Sequence, residues 1–196
     1  LVEIFAERGL SLTGKTAAVF GSGGAAGAAG WALGRSRAAR VTFRARSHHS
    51  ASALTARLEE CFPDTVFTSE PFSGRDAEDD ILVNATPLGM YEDGDLPCAP
   101  RAGSLCIDMA YAPGGTSFLK AAAASGAGTI DGLEVLVWQA ALSLRFWAGL
   151  PTGEQARAFR DRFGRFARRI TPPDGARPCR VFVAWLEGLI GGEEAP

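Results

Sequence analysis

The sequence predicts an α/β fold: a doubly wound, mostly parallel sheet with helices on both faces. Three observations predict it. Short apolar runs alternate with amphipathic or alanine-rich helical stretches along most of the chain. The run Thr16–Phe20 passes through Gly21-Ser22-Gly23-Gly24-Ala25-Ala26 into a small-residue helix, the G-x-G-x-x-G/A pattern of a dinucleotide-binding turn. A second strand-like run at Arg40–Phe43 completes the first βαβ unit, which makes the domain Rossmann-like. With 196 residues, 46% of them hydrophobic, the chain has material for one good-sized domain of this kind.

The elements follow in order. Leu1, Ile4 and Phe5 mark the end of a helix that Gly9 stops, and Leu12–Lys15 is a turn into the first strand. Ala25–Ser36 is an alanine-rich helix and Ala38–Arg44 the second strand. Ser50–Cys61 reads as a helix with Ser50 as its N-cap and Leu54 and Leu58 on its inward face. Thr65–Thr68 is a short third strand. Ile81–Asn84 is the fourth, running into the loop Ala85–Met90. The acidic, proline-bearing stretch Tyr91–Arg101 is a surface loop, Ser104–Asp108 the fifth strand, Ser117–Ala124 a helix ending at Gly126, and Thr129-Ile130 a sixth strand. Leu133–Trp147 is apolar nearly all round, so burial on most faces is expected, and its polar Gln139 calls for a partner. Glu154–Arg168 reads as an arginine-rich helix. Residues 1–170 are expected to form the nucleotide-binding domain, and 171–196 a C-terminal extension with room for one amphipathic helix at Val181–Ile190.

In such sheets ligands bind outside the carboxyl ends of the strands. Five loops follow strands and converge on that edge: 21–25, 45–50, 85–90, 110–116 and 131–132. Gly21 permits the sharp turn, Gly23 lets a pyrophosphate approach the backbone, and Ser22, Gly24 and Ala25 complete a loop that opens the helix N-terminus to the phosphates. An NAD site carries an acidic residue about 20 positions further on. Here the second strand ends Phe43-Arg44-Ala45-Arg46-Ser47, with no carboxylate. Arginine grips a 2′-phosphate that a carboxylate would repel, so the cofactor is expected to be NADP, with Arg46 the leading contact and Arg44 second on the same face by strand alternation.

Other classes are disfavoured. A formal net charge of -2 gives no nucleic-acid surface. No apolar run is long enough to cross a bilayer, and no basic-then-apolar leader points to export. Cys61, Cys98, Cys106 and Cys179 form no C-x-x-C pair and sit beside no histidines at metal-ligand spacing, so they read as reduced thiols of a cytoplasmic protein without a metal site. His48 and His49 read as exposed loop residues.

Val83-Asn84-Ala85-Thr86-Pro87-Leu88-Gly89-Met90 resembles the N-A-T-P-L-G-M signature of shikimate dehydrogenases. Gly21–Ala25 is similar to the family's G-A-G-G-A loop, Asp108–Thr116 to its D-x-x-Y-x-P-x-x-T, and Asp131–Ala141 to its D-G-x-x-M-L-V-x-Q-A-A. The resemblance covers roughly residues 12–153 and implies NADP-dependent reduction of 3-dehydroshikimate to shikimate, a step of aromatic amino acid (chorismate) biosynthesis. It places Arg46, Ser47 and Ser50 in the loop around the 2′-phosphate, Thr86 beside the cofactor, and Met109 and Gly132 along the nicotinamide. It also places Tyr111 and Gln139 on the hydroxyls of the substrate ring. The chain departs from the pattern at Ala45, where the family has asparagine, and at Ser50, where it has a second arginine; Gly27 and Val135 also differ.

The family pattern begins with a substrate domain that carries a catalytic lysine and aspartate. Residues 1–9 resemble the inter-domain helix that follows it, so no catalytic residue is assigned to this chain, and weak turnover is expected unless that domain is supplied. Lys15 and Lys120, the only lysines, match no catalytic position. A non-catalytic nucleotide-binding or interaction module and a quinate/shikimate dehydrogenase using NAD(P) are the alternative readings, and a homodimer is an open assembly.

Overall fold

The computed structural model describes residues 1–72, 78–90, 94, 96, 98–112 and 115–147. The helices expected at Glu154–Arg168 and Val181–Ile190, and Cys179, lie outside the described residues. The chain order is α1 (Val2–Glu7), β1 (Thr16–Phe20), α2 (Gly24–Arg35), β2 (Arg40–Ala45), α3 (His48–Cys61), β3 (Val66–Pro71), β4 (Ile81–Asn84), β5 (Leu105–Asp108), α4 (Ser117–Ala124), β6 (Gly128–Ile130) and α5 (Gly132–Trp147).

The strands form one six-stranded sheet in the order β3-β2-β1-β4-β5-β6, with every described pairing parallel. The expected doubly wound architecture is therefore present, with its switch point between β1 and β4. Alternation along β1 assigns the two faces. Ala17 and Val19, with Val41, Phe43, Ile81, Val83, Ile107 and Ile130, pack under α1, α2, α3 and Trp138 of α5. Ala18 and Phe20, with Leu82 and Cys106, pack against Phe118 and Ala122 of α4 and against Leu96. Burial on both faces explains the near-continuous apolar runs.

Two expected boundaries are corrected. β3 runs to Pro71 because it pairs residue for residue with β2, from Arg40 opposite Val66 to Ala45 opposite Pro71. It is the edge strand, where proline at the end is tolerated. α3 begins at His48, and its N-cap is Ser47 rather than Ser50. Ser47 is extended, and its Oγ accepts from the Ser50 N–H at 3.3 Å.

α5 also differs from expectation. Val137, Trp138, Ala140 and Ala141 are buried, but Gln139, Leu142 and Phe146 share an exposed stripe, with Phe146 84% exposed. Gln139 is therefore not a polar group stranded in a core.

The amino edge of the sheet is closed by charge. The Thr16 N–H donates to Asp80 Oδ2 at 3.0 Å, and Thr16 Oγ1 accepts from the Asp80 N–H at 3.3 Å. Lys15 and Arg101 each lie 3.6 Å from Asp80 Oδ1, and the Thr16 backbone bond leads the influences that hold this carboxyl below its ordinary pKa. Lys15 thus sits at the edge opposite the carboxyl-end loops.

Glycines set how closely α2 lies on its neighbours. A Cβ on Gly30 would stand 2.5 Å from Phe43 Cζ and 2.8 Å from Leu58 Cδ1, whereas one on Gly27 would meet only Leu54 Cδ1, at 3.5 Å. Helix propensity alone favours alanine at both positions by about 1 kcal/mol. We expect Gly27→Ala to stabilise by roughly 0.5–1 kcal/mol and Gly30→Ala to destabilise by about 1–2 kcal/mol through overpacking, read as opposite shifts in thermal unfolding.

Candidate functional site

The site is built on the switch point. Beyond β1 the chain turns through Gly21 at φ +115°, and a Cβ there would lie 2.8 Å from the Ala85 carbonyl oxygen beyond β4. Only glycine allows the two loops to touch in this way. Each loop is tied to the neighbouring strand: the Gly21 N–H donates to Arg44 O and the Ala85 N–H to Phe20 O, both at 2.9 Å. Gly23 is the N-cap of α2 and brings no side-chain cap, and a Cβ on Gly23 or Gly24 would meet nothing within 4 Å. The first turn of α2 thus faces open space, with N–H groups free to bind an anion.

A cavity of about 400 Å³ lies over this turn. Of the residues singled out from the sequence, Gly21, Ser22, Gly23, Arg46, Ser47 and Thr86 line it, together with Phe72, Pro87 and Leu88. Gly24 and Ala25 continue the loop into α2, and Ser50 lies in the first turn of α3, its Oγ accepting from Ser47 Oγ at 3.0 Å.

The two arginines that alternation grouped are separated. Arg46 is exposed and lines the cavity. Arg44 is buried and does not. Its Nε lies 3.4 Å from Glu70 Oε2, its Nη2 lies 3.5 Å from the buried Asp79 Oδ2, and its guanidinium carbon sits 5.8 Å over the Phe20 ring.

A buried polar cluster fixes the loops after β4 and β5. Asn84 Nδ2 donates to Asp108 Oδ1 at 2.8 Å and to Leu88 O at 3.1 Å, while Asn84 Oδ1 accepts from Thr86 N–H at 3.0 Å and Thr86 Oγ1 at 2.7 Å. Asp108 Oδ1 also accepts from Ala110 N–H at 2.9 Å, and Oδ2 accepts from Thr116 Oγ1 at 2.5 Å. Thr116 in turn caps α4, accepting from Leu119 N–H at 3.3 Å. Burial pushes the Asp108 carboxyl above its ordinary pKa, against the pull of its three donors. In the sequence, Asn84 and Asp108 stand inside motifs with no role of their own assigned. The available signal was a polar residue ending an otherwise apolar strand, twice over.

The nicotinamide candidates lie further along the same edge. A Cβ on Gly132 would be 2.4 Å from Ala110 O and 2.9 Å from Met109 O, so the start of α5 packs backbone to backbone on the β5 loop. Met109 and Gly132 are thereby brought together, and half-buried Tyr111 follows on that loop. Gln139 is exposed about two turns into α5. Asp131 caps that helix, its Oδ1 accepting from Glu134 N–H at 2.7 Å. Among the described residues no three His, Cys, Asp or Glu side chains cluster as a metal site, and no helix is long and apolar enough to cross a membrane. Cys61, Cys98 and Cys106 are free, with burial pushing Cys98 up to about 12.

No family model matches the chain. Among curated proteins it is 38% identical over 144 residues to the shikimate dehydrogenase (NADP(+)) of Aeropyrum pernix, covering 69% of this chain and 50% of that protein. Among solved structures, shikimate 5-dehydrogenase from Thermus thermophilus, in complex with shikimate, is 30% identical, with a TM-score of 0.61 over 82% of this chain and 58% of that one. The ligand-free 5-ketofructose reductase of a Gluconobacter species is 26% identical, with a TM-score of 0.69 over 82% of this chain and 60% of that one. The chain is similar to shikimate dehydrogenases over about 70% of its length and spans about half the length of the curated relatives it matches.

The Asp108 cluster makes a direct prediction. Asp108→Asn keeps an oxygen for Asn84 and Ala110 but sets an NH2 against the Thr116 hydroxyl, whose proton must turn away. We expect about 2 kcal/mol of destabilisation, a fall of roughly 4–8 °C in thermal unfolding, and a larger fall for Asp108→Ala.

Proposed function

We propose, with the likeness to shikimate dehydrogenases as the premise, that residues 1–170 form the NADP-binding domain of an oxidoreductase that reduces 3-dehydroshikimate to shikimate. The observation that carries this reading is the cavity at the switch point, where the uncapped start of α2 and Arg46 line one space with no carboxylate among the described residues of its walls. The open space above Gly23 and Gly24, which side chains there would fill, fits a pyrophosphate.

In this reading Gly21, Ser22, Gly23, Gly24 and Ala25 hold the pyrophosphate through backbone N–H groups. Arg46, Ser47 and Ser50 hold the 2′-phosphate, and Thr86 borders the adenosine half. Met109 and Gly132 seat the nicotinamide, and Tyr111 and Gln139 reach hydroxyls of the substrate. The cofactor, when bound, supplies hydride to a substrate carbonyl. The protein's own task is to hold the reacting carbons together and exclude water.

A developing alkoxide also needs a proton donor. Lys15 pairs with Asp80 at the opposite edge, and Lys120 is exposed on α4. Neither lysine is placed to donate it, and the proposed contribution of this domain is cofactor binding and orientation.

Titration of the chain with NADPH and with NADH, followed by intrinsic fluorescence, tests the reading. We expect tighter binding of NADPH, and a roughly 10–100-fold loss of NADPH affinity in Arg46→Ala with NADH little changed, since a charge-assisted contact to phosphate contributes about 1.5–3 kcal/mol. Equal affinity for the two nucleotides in the unaltered protein overturns the NADP assignment.

A further inference from the structure

Among the described residues, the corner of the cleft beyond β2 has few fixed positive charges for a ligand that carries a phosphate dianion. Arg46 lines it, but Arg44 is held by Asp79 and Glu70. Ser50 stands where the family pattern has its second arginine, and its hydroxyl is bonded to that of Ser47. Two histidines follow Arg46 and Ser47 in the chain, next to the residues that line the cavity and not themselves among them. Because α3 starts at His48 rather than at Ser50, His48 and His49 occupy its first turn, directly after the two cavity-lining residues Arg46 and Ser47, and both are exposed.

His48 is tethered. Its Nδ1 lies 3.4 Å from Ser52 Oγ, which lies 3.4 Å from Ser69 Oγ on β3. His49 makes no hydrogen bond or ion pair among the described residues. The elements packed against α3 are β2, β3 and α2. At this end β2 and its loop bring Arg44 and Arg46, and β3 brings Glu70, which Arg44 already engages. α2 brings no ionisable side chain here, since Arg35 sits in its last turn. On α3 itself Arg57, Glu59 and Glu60 lie in later turns.

Resting on the NADP reading, we propose that His48 and His49 are specificity-determining residues that supply titratable positive charge to the 2′-phosphate, replacing the absent second arginine. The preference for the phosphorylated dinucleotide therefore strengthens as pH falls through the range in which histidine gains its proton. The physical basis is linkage. A phosphate dianion favours a cationic neighbour, so protonation of a histidine and binding of the phosphorylated nucleotide each promote the other. Arg44 acts beside them as a positioning residue, neutralising Glu70 and Asp79, whose charges would otherwise oppose the phosphate.

The test measures Kd for NADP+ and NAD+ at about pH 6 and about pH 8.5, at fixed low ionic strength, for the unaltered chain and the double variant His48→Gln/His49→Gln. Thermal unfolding checks that the variant folds. The readout is the ratio of the NAD+ to the NADP+ dissociation constant. The 2′-phosphate itself gains a proton near pH about 6, which weakens NADP+ binding in both proteins and cancels in the comparison. We expect the variant to lose about fivefold of this ratio at the lower pH and less than about twofold at the higher. A loss of equal size at both values, or an unchanged ratio, overturns the inference while leaving the NADP reading standing. An unaltered chain that binds neither nucleotide, or binds both equally at both pH values, overturns the two together.

Discussion

The cleft depends on one buried hydrogen bond, from Asn84 Nδ2 to Asp108 Oδ1. Both residues end central strands at positions without solvent, Asn84 at 1% and Asp108 at 0% exposure. A carboxyl group there is costly unless every lone pair facing protein is met. Three donors meet it, and each belongs to a different functional segment: Asn84 starts the loop after β4, Ala110 belongs to the loop after β5, and Thr116 caps α4. Satisfying one buried acid therefore fixes three pieces of chain at once. The same logic passes outward through Asn84 to Thr86 and Leu88, which form one wall of the cavity. Such a network is stiff because no member can leave without stranding another.

What the sequence made legible was what its local patterns carry. Apolar runs located the six strands of the described residues, and the glycine turn located the edge where the cavity opens, since only a backbone without a Cβ can bring Gly21 against Ala85. The boundaries it missed depend on partners distant in the chain. Ser69-Glu70-Pro71 has little strand character, and it is extended because β2 lies beside it in register. Ser47 and Ser50 are equally good caps by composition, and the choice fell to the residue whose backbone is extended where β2 ends. Gln139 looked like a buried polar residue because the helix pattern shows how apolar α5 is and not what covers it; in the described residues one stripe is left open.

The clearest example of this limit is Arg44. Two positions apart on one strand, Arg44 and Arg46 look equivalent. Their difference comes from Glu70 and Asp79, which enter from the next strand and from the approach to β4. A buried aspartate such as Asp79 needs a cation, and Arg44 is the cation placed to meet it. The arginine-rich look of this loop thus combines a structural counter-ion with a cavity-lining charge, and only the three-dimensional arrangement separates the two.

A division of labour follows. The glycine loop and Arg46, the groups proposed for the cofactor, directly follow strands β1 and β2. Tyr111 and Gln139, the groups assigned to the substrate, hang from β5 and α5, and these meet where Gly132 lies against the Ala110 carbonyl. In the proposed reading, a change of substrate alters that second junction without disturbing the first. Asn84 and Asp108 join the two halves through hydrogen bonds to the protein's own loops.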